Sequence, residues 1–459
     1  MTCYRPLFDS SSPKIPAALI KEAGICASRI ALLGPSILYH YLGESPEIDI
    51  MRFNILRIVI YFVLAAGGLL FALDYRNRNM AFKTPPAEPM IRFPTYANTI
   101  SELFHPPVRT RGRDIVDARD KRFKLASVNW YGASDEHFIP GGLDVRHRSE
   151  IAKVIRRLGF NSVRLPYSDE MVVKNPLIPK HRLTANKDLV GKRALEIFEA
   201  VVNSLTDAGL AVIVNNHITH STWCCGVNPC DSAWYNDHLG PLCRVWQSEE
   251  QWIENWKTIM TPLVKNSRVI GADLRNEVRG LWGTMPWKKW AAAAERAGNV
   301  LLEMNTDWLI IVEGVSSSNH LSGARNRPIV LDIPDRVVYS AHVYSWSGWG
   351  SPGGMYNHRS YESFAKAMAE NWGYLLTEKI APAWVGEFGA PHLPNEGDMH
   401  YWVNLVTYLE DVDADFGFWA INPRKPHDNE TESYSLVSDD WKTPIIDYRL
   451  RDMVRLMKQ

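Results

Sequence analysis

Two glutamates in this chain stand where apolar segments end. The stretch "VIGADLRNEVRG" (269–280) opens as a buried strand does and runs into Arg275, Asn276 and Glu277. The stretch "APAWVGEFGA" (381–390) is apolar up to Glu387. Desolvating a carboxylate is costly, so an acid at the end of a buried strand asks for a reason. Two opposed acids, one protonated and one ionised, can divide general-acid and nucleophilic work between them. Cleavage of a glycosidic bond needs such a pair. Other polar residues collect at matching places: Asn129 and Trp130, Arg164, Asn216 and His217, Glu313, His342 and Tyr344, Trp419 and Asn422. Any one of these could be a satisfied core residue. Together they describe a rim.

The elements that must position this rim alternate strand and helix. Strands are expected at "KLASVNW" (124–130), "FNSVRLP", "LAVIVNNH", "RVIGADLRNE", "DWLIIVEG", "RVVYSAHVY", "APAWVGEFG" and "DFGFWAIN". Amphipathic helices are expected at 146–159, 192–209, 248–267 and 286–305, and around 361–377, 399–411 and 447–458. The helix after the fifth strand is weak. Short apolar strands without in–out alternation are buried on both faces, so the sheet is parallel. Eight such units in residues 106–459 fit a (β/α)8 TIM barrel, whose active groups sit at the carboxyl ends of the strands. A doubly wound sheet is disfavoured, because no glycine-rich phosphate loop follows the first strand. Residues 108–123 are expected to form a hairpin under the barrel.

Composition narrows the classes. With 51 basic and 51 acidic residues the net charge is zero, which gives no reason to expect a nucleic-acid partner. The 17 tryptophans offer flat platforms for a ligand, or core packing. "IVIYFVLAAGGLLFAL" (58–73) carries no charge. A transmembrane or signal-anchor segment is therefore expected over 53–75, or else a cleaved signal starting at Met51. Residues 1–52 form an N-terminal extension, cytosolic or spurious, and 76–105 a proline-rich stalk. Cys224, Cys225, Cys230 and Cys243 lie in one loop, as two disulfides would require; a zinc site with His217 and His220 is the rival reading. Asn429 opens a glycosylation triplet. These features place the catalytic domain in the secretory pathway, outside the cell or luminal, tethered or released.

Residues 106–459 resemble glycoside hydrolase family 5. The likeness rests on "VNWYG", "GFNSVRLPYS", "NNHITH", "LRNE", "SAHVY", "VGEFG" and "GFWAINP", in order and at barrel spacing. It implies Glu277 as acid/base on the fourth strand and Glu387 as nucleophile on the seventh. It implies that Arg164 orients the nucleophile and keeps it ionised, and that Tyr344 bonds it. Asn276 would bond the sugar 2-hydroxyl, His217 and His342 would line the reacting subsite, and Trp419 would stack under the sugar. The charge on Glu387 would help to raise the pKa of Glu277. No metal or cofactor is implied. One departure is Val278, where many members carry proline after the acid. The expected reaction is retaining hydrolysis of β-glycosidic bonds through a glycosyl-enzyme, in cellulose-type β-glucans or their oligosaccharides. A glycolipid glycosidase, a transglycosylase or a membrane-tethered binding pseudoenzyme are the alternatives. The cysteine loop, with Trp223, Trp234, Tyr235 and Trp246, is expected to wall the cleft.

Overall fold

The computed structural model describes residues 56–69, 104–223, 228–280, 284–348, 351, 353–426 and 430–457. The chain divides into two units, Met1–Leu73 and Asp74–Gln459. In the second unit a two-stranded antiparallel hairpin comes first, β1 (Arg109–Arg111) and β2 (Asp114–Val116). Eight parallel strands follow: β3 (Ala126–Asn129), β4 (Ser162–Ser168), β5 (Ala211–Ile218), β6 (Val269–Asp273), β7 (Leu309–Glu313), β8 (Val337–Val343), β9 (Ala383–Phe388) and β10 (Asp415–Phe418). They close into a barrel in sequence order, with β10 pairing back onto β3. The fold is the expected (β/α)8 barrel. Every residue of β3, β4, β5, β6, β7, β9 and β10 is buried, which explains their apolar runs without alternation.

The helices on the outside start where the sequence provides caps. Ser248 accepts the Gln251 N–H ahead of the helix Glu249–Met260, and two glutamates occupy its first turn. Asn395 and Asp398 form a reciprocal capping box at Glu396–Asp411. After β7 only a 3-10 turn, Ser322–Arg325, forms where the helical signal was weak. A short helix, Asp169–Lys174, was not expected.

The barrel interior is layered. Phe104, Val108, Ile115, Phe123 and Leu125 pack under Ala211, Ile213, Leu309, Ile311, Val338 and Trp384, so the hairpin closes the bottom as anticipated. Apolar filling then gives way to polar side chains at the carboxyl ends. Most tryptophans serve packing: Trp130, Trp234, Trp252, Trp256, Trp290, Trp308, Trp372, Trp384 and Trp402 are each less than 2% exposed.

The expected membrane segment lies only partly within the described residues. Within 53–75 a helix is described only over 56–69. Among the described residues no helix is long and apolar enough to cross a membrane. Residues 1–52, the stalk before residue 104, Cys3, Cys26, Cys224, Cys225 and Asn429 lie outside the described residues.

Candidate active site

Arg164 is the hub of the rim. It rises from β4 into the barrel and is fully buried. Its Nε donates to Asp273 Oδ2 at 2.7 Å. One terminal nitrogen donates to Asn129 Oδ1 at 3.0 Å and to Glu387 Oε1. The other donates to Asn276 Oδ1 at 2.7 Å and Glu313 Oε1 at 2.8 Å. All of this planar fork is thus directed at partners on β3, β6, β7 and β9 and on the segment following β6, a geometry lysine cannot copy. Three carboxylates around one cation leave an excess of negative charge. Burial, and then the neighbouring Asp273, push the Glu313 carboxyl well above the usual range. Glu313 is thereby inclined to hold a proton.

Glu387 and Glu277 have unequal surroundings. Glu387 ends β9, takes Arg164 on one oxygen and the Tyr344 hydroxyl on the other at 3.0 Å, and is 6% exposed. Glu277 lies past the end of β6 with left-handed backbone, φ 48°, a conformation non-glycine residues seldom adopt. Its N–H donates to Glu313 Oε2 at 2.8 Å, and Ser318 Oγ donates to the same oxygen. His342 Nδ1 sits 3.2 Å from Glu277 Oε1 and 3.7 Å from Glu387 Oε2. The pairing of β8 with β9 skips a residue between Ala341 and His342, which brings His342 opposite Glu387. One oxygen of each glutamate and one His342 nitrogen all lie within 4.8 Å of each other. Three such donors form a group that could hold an ion, with Glu387 also accepting from Arg164 and Tyr344, one on each oxygen.

Electrostatics separate the two acids further. Burial pushes the Glu277 carboxyl up to about 7, against the pull of Arg279 and Arg164. The charge on Glu387, expected to contribute, is not among its causes. Burial also takes the His342 imidazole down to about 4, so it is neutral at pH 7. The His217 imidazole is held well below its ordinary value by burial and by Arg164. Chemically, the site offers a carboxyl that can carry a proton at neutral pH beside a carboxylate held by a cation.

A cavity of about 360 Å³ opens over these groups, walled by His217, Asn276, Glu277, Tyr344, Glu387 and Trp419 among others. Trp419 stacks with Tyr131 at 5.0 Å and with His217 at 5.4 Å. A second cavity of about 960 Å³ adjoins it, sharing Glu277, Tyr344 and Trp346. Its wall is hydroxyl-rich, with Ser316, Ser317, Ser322 and Ser347. Ser316, Ser317 and Ser318 are successively left-handed, at φ 57°, 54° and 61°.

Arg164, His217, Asn276, Glu277, Tyr344, Glu387 and Trp419 are therefore brought together as the sequence led one to expect. His342 differs: it is 1% exposed and lies among the carboxylates, not on the cavity wall. Asn216 turns outward to Trp252 and Arg275, and Asn422 clasps the Tyr131 backbone, so both are structural. Of the cysteine-loop aromatics only Trp223 lines the cavity; Trp234 packs on Trp252 and Trp290, and Trp246 is 60% exposed. Cys230 and Cys243 form a disulfide. Of the groups named for a zinc site, Cys230 and Cys243 are joined to each other, and His220 spends both ring nitrogens, on Asp231 and on the Val245 N–H. Asp273, Ser318, Asp135 and Glu432 were missed. Only Asp273 gave a signal, as an acid inside the apolar run "VIGAD".

Comparison with known proteins agrees with this geometry. The model of the family described as Cellulase (glycosyl hydrolase family 5) matches residues 116–425. An endoglucanase of Paenibacillus polymyxa is 31% identical over 350 residues, 73% of this chain and 83% of that protein. The major extracellular endoglucanase of Xanthomonas campestris pv. campestris is 26% identical over 350 residues, 72% of this chain and 67% of the relative. Among solved structures, a hyperthermophilic endocellulase from the archaeon Pyrococcus horikoshii superposes with a TM-score of 0.65 at 25% identity, covering 76% of this chain and 99% of the other.

Proposed function

The chain belongs to glycosyl hydrolase family 5 and is a glycosidase acting on O-glycosyl bonds, and from that premise we propose that it hydrolyses β-glucans of the cellulose type with retention of configuration. The observation that carries the mechanism is the closeness of the two acids: their nearest oxygens lie within 4.8 Å. Retaining enzymes hold their carboxyl groups about 5–5.5 Å apart, whereas inverting enzymes leave roughly 6.5–9.5 Å for a water. Glu387, ionised and fixed by Arg164 and Tyr344, attacks the anomeric carbon. Glu277, protonated, gives its proton to the departing oxygen, and the glycosyl–Glu387 ester forms as that C–O bond breaks. Glu277, now ionised, takes a proton from water, which attacks the anomeric carbon, and the bond from that carbon to the Glu387 oxygen breaks to free Glu387. Asn276 bonds the 2-hydroxyl of the reacting ring, and Trp419 and His217 wall its subsite.

The cellulose-type substrate is supported by the relatives, which are named endoglucanases and endocellulases. A glycolipid substrate would call for an apolar channel beside the acids; the adjoining cavity mixes serines with the rings of Tyr344, Trp346 and Tyr356. A sugar hydroxyl in place of water would make the same site a transglycosylase. Secretion is supported by the Cys230–Cys243 bond, since disulfides persist in oxidising compartments.

Covalent trapping tests this reading. The chain is exposed to activated 2-deoxy-2-fluoro glycosides of the gluco and manno series, and peptide masses are read. A gluco label on the Glu387 peptide is expected. Label on another carboxylate, or in the manno series alone, would overturn the assignment.

A further inference from the structure

Glu313 ends β7, is fully buried, and takes no part in the two displacements above. Its carbonyl oxygen accepts the Trp290 Nε1–H at 2.8 Å, which fixes the strand end. Its carboxyl oxygens divide their partners. Oε1 accepts from Arg164 at 2.8 Å. Oε2 accepts the Glu277 N–H at 2.8 Å and the Ser318 hydroxyl. One side chain thus touches both the arginine that holds Glu387 and the backbone that carries Glu277.

The chain beyond β6 shows why the second contact matters. Its N–H groups are first taken up by the flanking strands: Leu274 donates to Ile311 O on β7 at 3.1 Å, and Asn276 to Asn216 O on β5 at 2.9 Å. At Glu277 the chain enters left-handed backbone, and the N–H meets a carboxyl instead. A buried N–H needs an acceptor, and a non-glycine residue stays left-handed only where its surroundings hold it there. The Glu313 carboxyl supplies the acceptor that a strand carbonyl no longer can. Glu313 is held in its turn. Ser316, Ser317 and Ser318 curl back in left-handed backbone, and the reciprocal Val315 and His320 bonds at 3.0 and 3.1 Å close the curl. A side chain at Gly314 would meet the His320 carbonyl oxygen at 2.8 Å, so the curl needs glycine beside Glu313. The curl brings the Ser318 hydroxyl to Glu313 and Ser318 O to the His342 N–H, at 3.1 Å. His342 Nδ1 is in turn the group 3.2 Å from the Glu277 carboxyl.

We propose that Glu313 is a positioning residue for the proton donor: it seats Glu277 through the backbone N–H so that the carboxyl meets the departing oxygen, and Ser318 locks Glu313 in place. The inference rests on Glu277 being the acid, as proposed above. The test compares kcat/KM on two aryl cellobiosides, a 2,4-dinitrophenyl one whose leaving group needs no proton and a phenyl one whose leaving group does. Glu313→Gln leaves one acceptor oxygen, which the Arg164 cation claims, and turns the amide nitrogen toward the Glu277 N–H. It is expected to lose about 10- to 100-fold on the phenyl glycoside and about threefold or less on the other. Ser318→Ala, which keeps every buried charge, should lose about 3- to 10-fold on the phenyl glycoside alone. A merely structural role would lower both substrates alike. Equal loss on the two glycosides, or no loss on either, therefore overturns the proposal. Loss confined to Glu313→Gln removes Ser318 from it. Where Glu313→Gln does not fold, judged by circular dichroism, Ser318→Ala decides. Glu277→Ala in the same series separates the two readings: if it shows no preference between leaving groups, the acid assignment fails and the proposal falls with it. A wild type that turns over neither cellobioside counts against the β-glucan reading alone, and the same two leaving groups on mannobiosides then carry the comparison.

Discussion

The ends of β6 and β9 carry the same side chain and treat it in opposite ways. At β9, Glu387 is still within the strand, gripped by Arg164 and Tyr344, and nearly sealed. At β6 the strand has already ended at Asp273, and Glu277 stands four residues on in strained backbone. Its carboxylate has the His342 nitrogen nearby and is 16% exposed. The first environment stabilises a charge in a fixed place. The second disfavours charge and leaves the group in reach of a proton acceptor. Position along a strand, more than residue type, assigns the roles.

Exchanging or removing the features that distinguish the two ends should break this asymmetry by unequal amounts. Replacing Glu387 with Ala removes the nucleophile, and kcat is expected to fall by on the order of 10⁴-fold or more, read with any turned-over substrate. Glu277→Ala should cost about 10²- to 10⁴-fold on natural glucans, with a smaller loss on aryl glycosides whose leaving groups need no proton. That contrast is read from kcat/KM across leaving groups. In the wild type, kcat/KM should decline as pH rises through about 7, because the productive form of Glu277 is protonated. The folded state holds this proton more tightly than an ordinary glutamate of pKa 4.5, so stability is lost as pH rises from there to about 7, a loss that a Tm–pH series on Glu277→Gln should not show. Arg164→Met strands three buried carboxylates and should cost roughly 3–5 kcal/mol, measured by urea unfolding at pH 7. The smallest effect belongs to Tyr344→Phe, which removes one hydrogen bond to Glu387. A loss of about 1 kcal/mol, or several-fold in kcat/KM, is expected.

Much of this site was legible because barrels put chemistry at strand ends, and strand ends are visible as apolar runs that stop. Asn276, Glu277, Tyr344 and Glu387 fall at or just past such ends, whereas Arg164 stands inside β4, which runs on to Ser168. His342 was legible as a rim residue but not in its depth, because a skipped residue in the β8–β9 pairing sets it, and sequence does not show pairing register. Asp135 and Glu432 sit in loops whose paths only tertiary packing fixes. Among the cysteine-loop tryptophans Trp223 does line the cavity, whereas Trp234 packs against Trp252 and Trp290. The membrane segment was read from hydropathy alone, and only its residues 56–69 are described, as a helix.

The Cys230–Cys243 bond bears on how this enzyme should be made and kept. It closes a 13-residue separation in the long segment between β5 and the helix Glu249–Met260. A cross-link over a loop of that size is worth about 3 kcal/mol, felt first in the segment it encloses. Chain produced in a reducing host cytosol would carry free thiols there and a looser segment, which proteases would cut before the barrel yields. Export to an oxidising compartment during production, and storage without thiol reductants, follow from that single covalent tie.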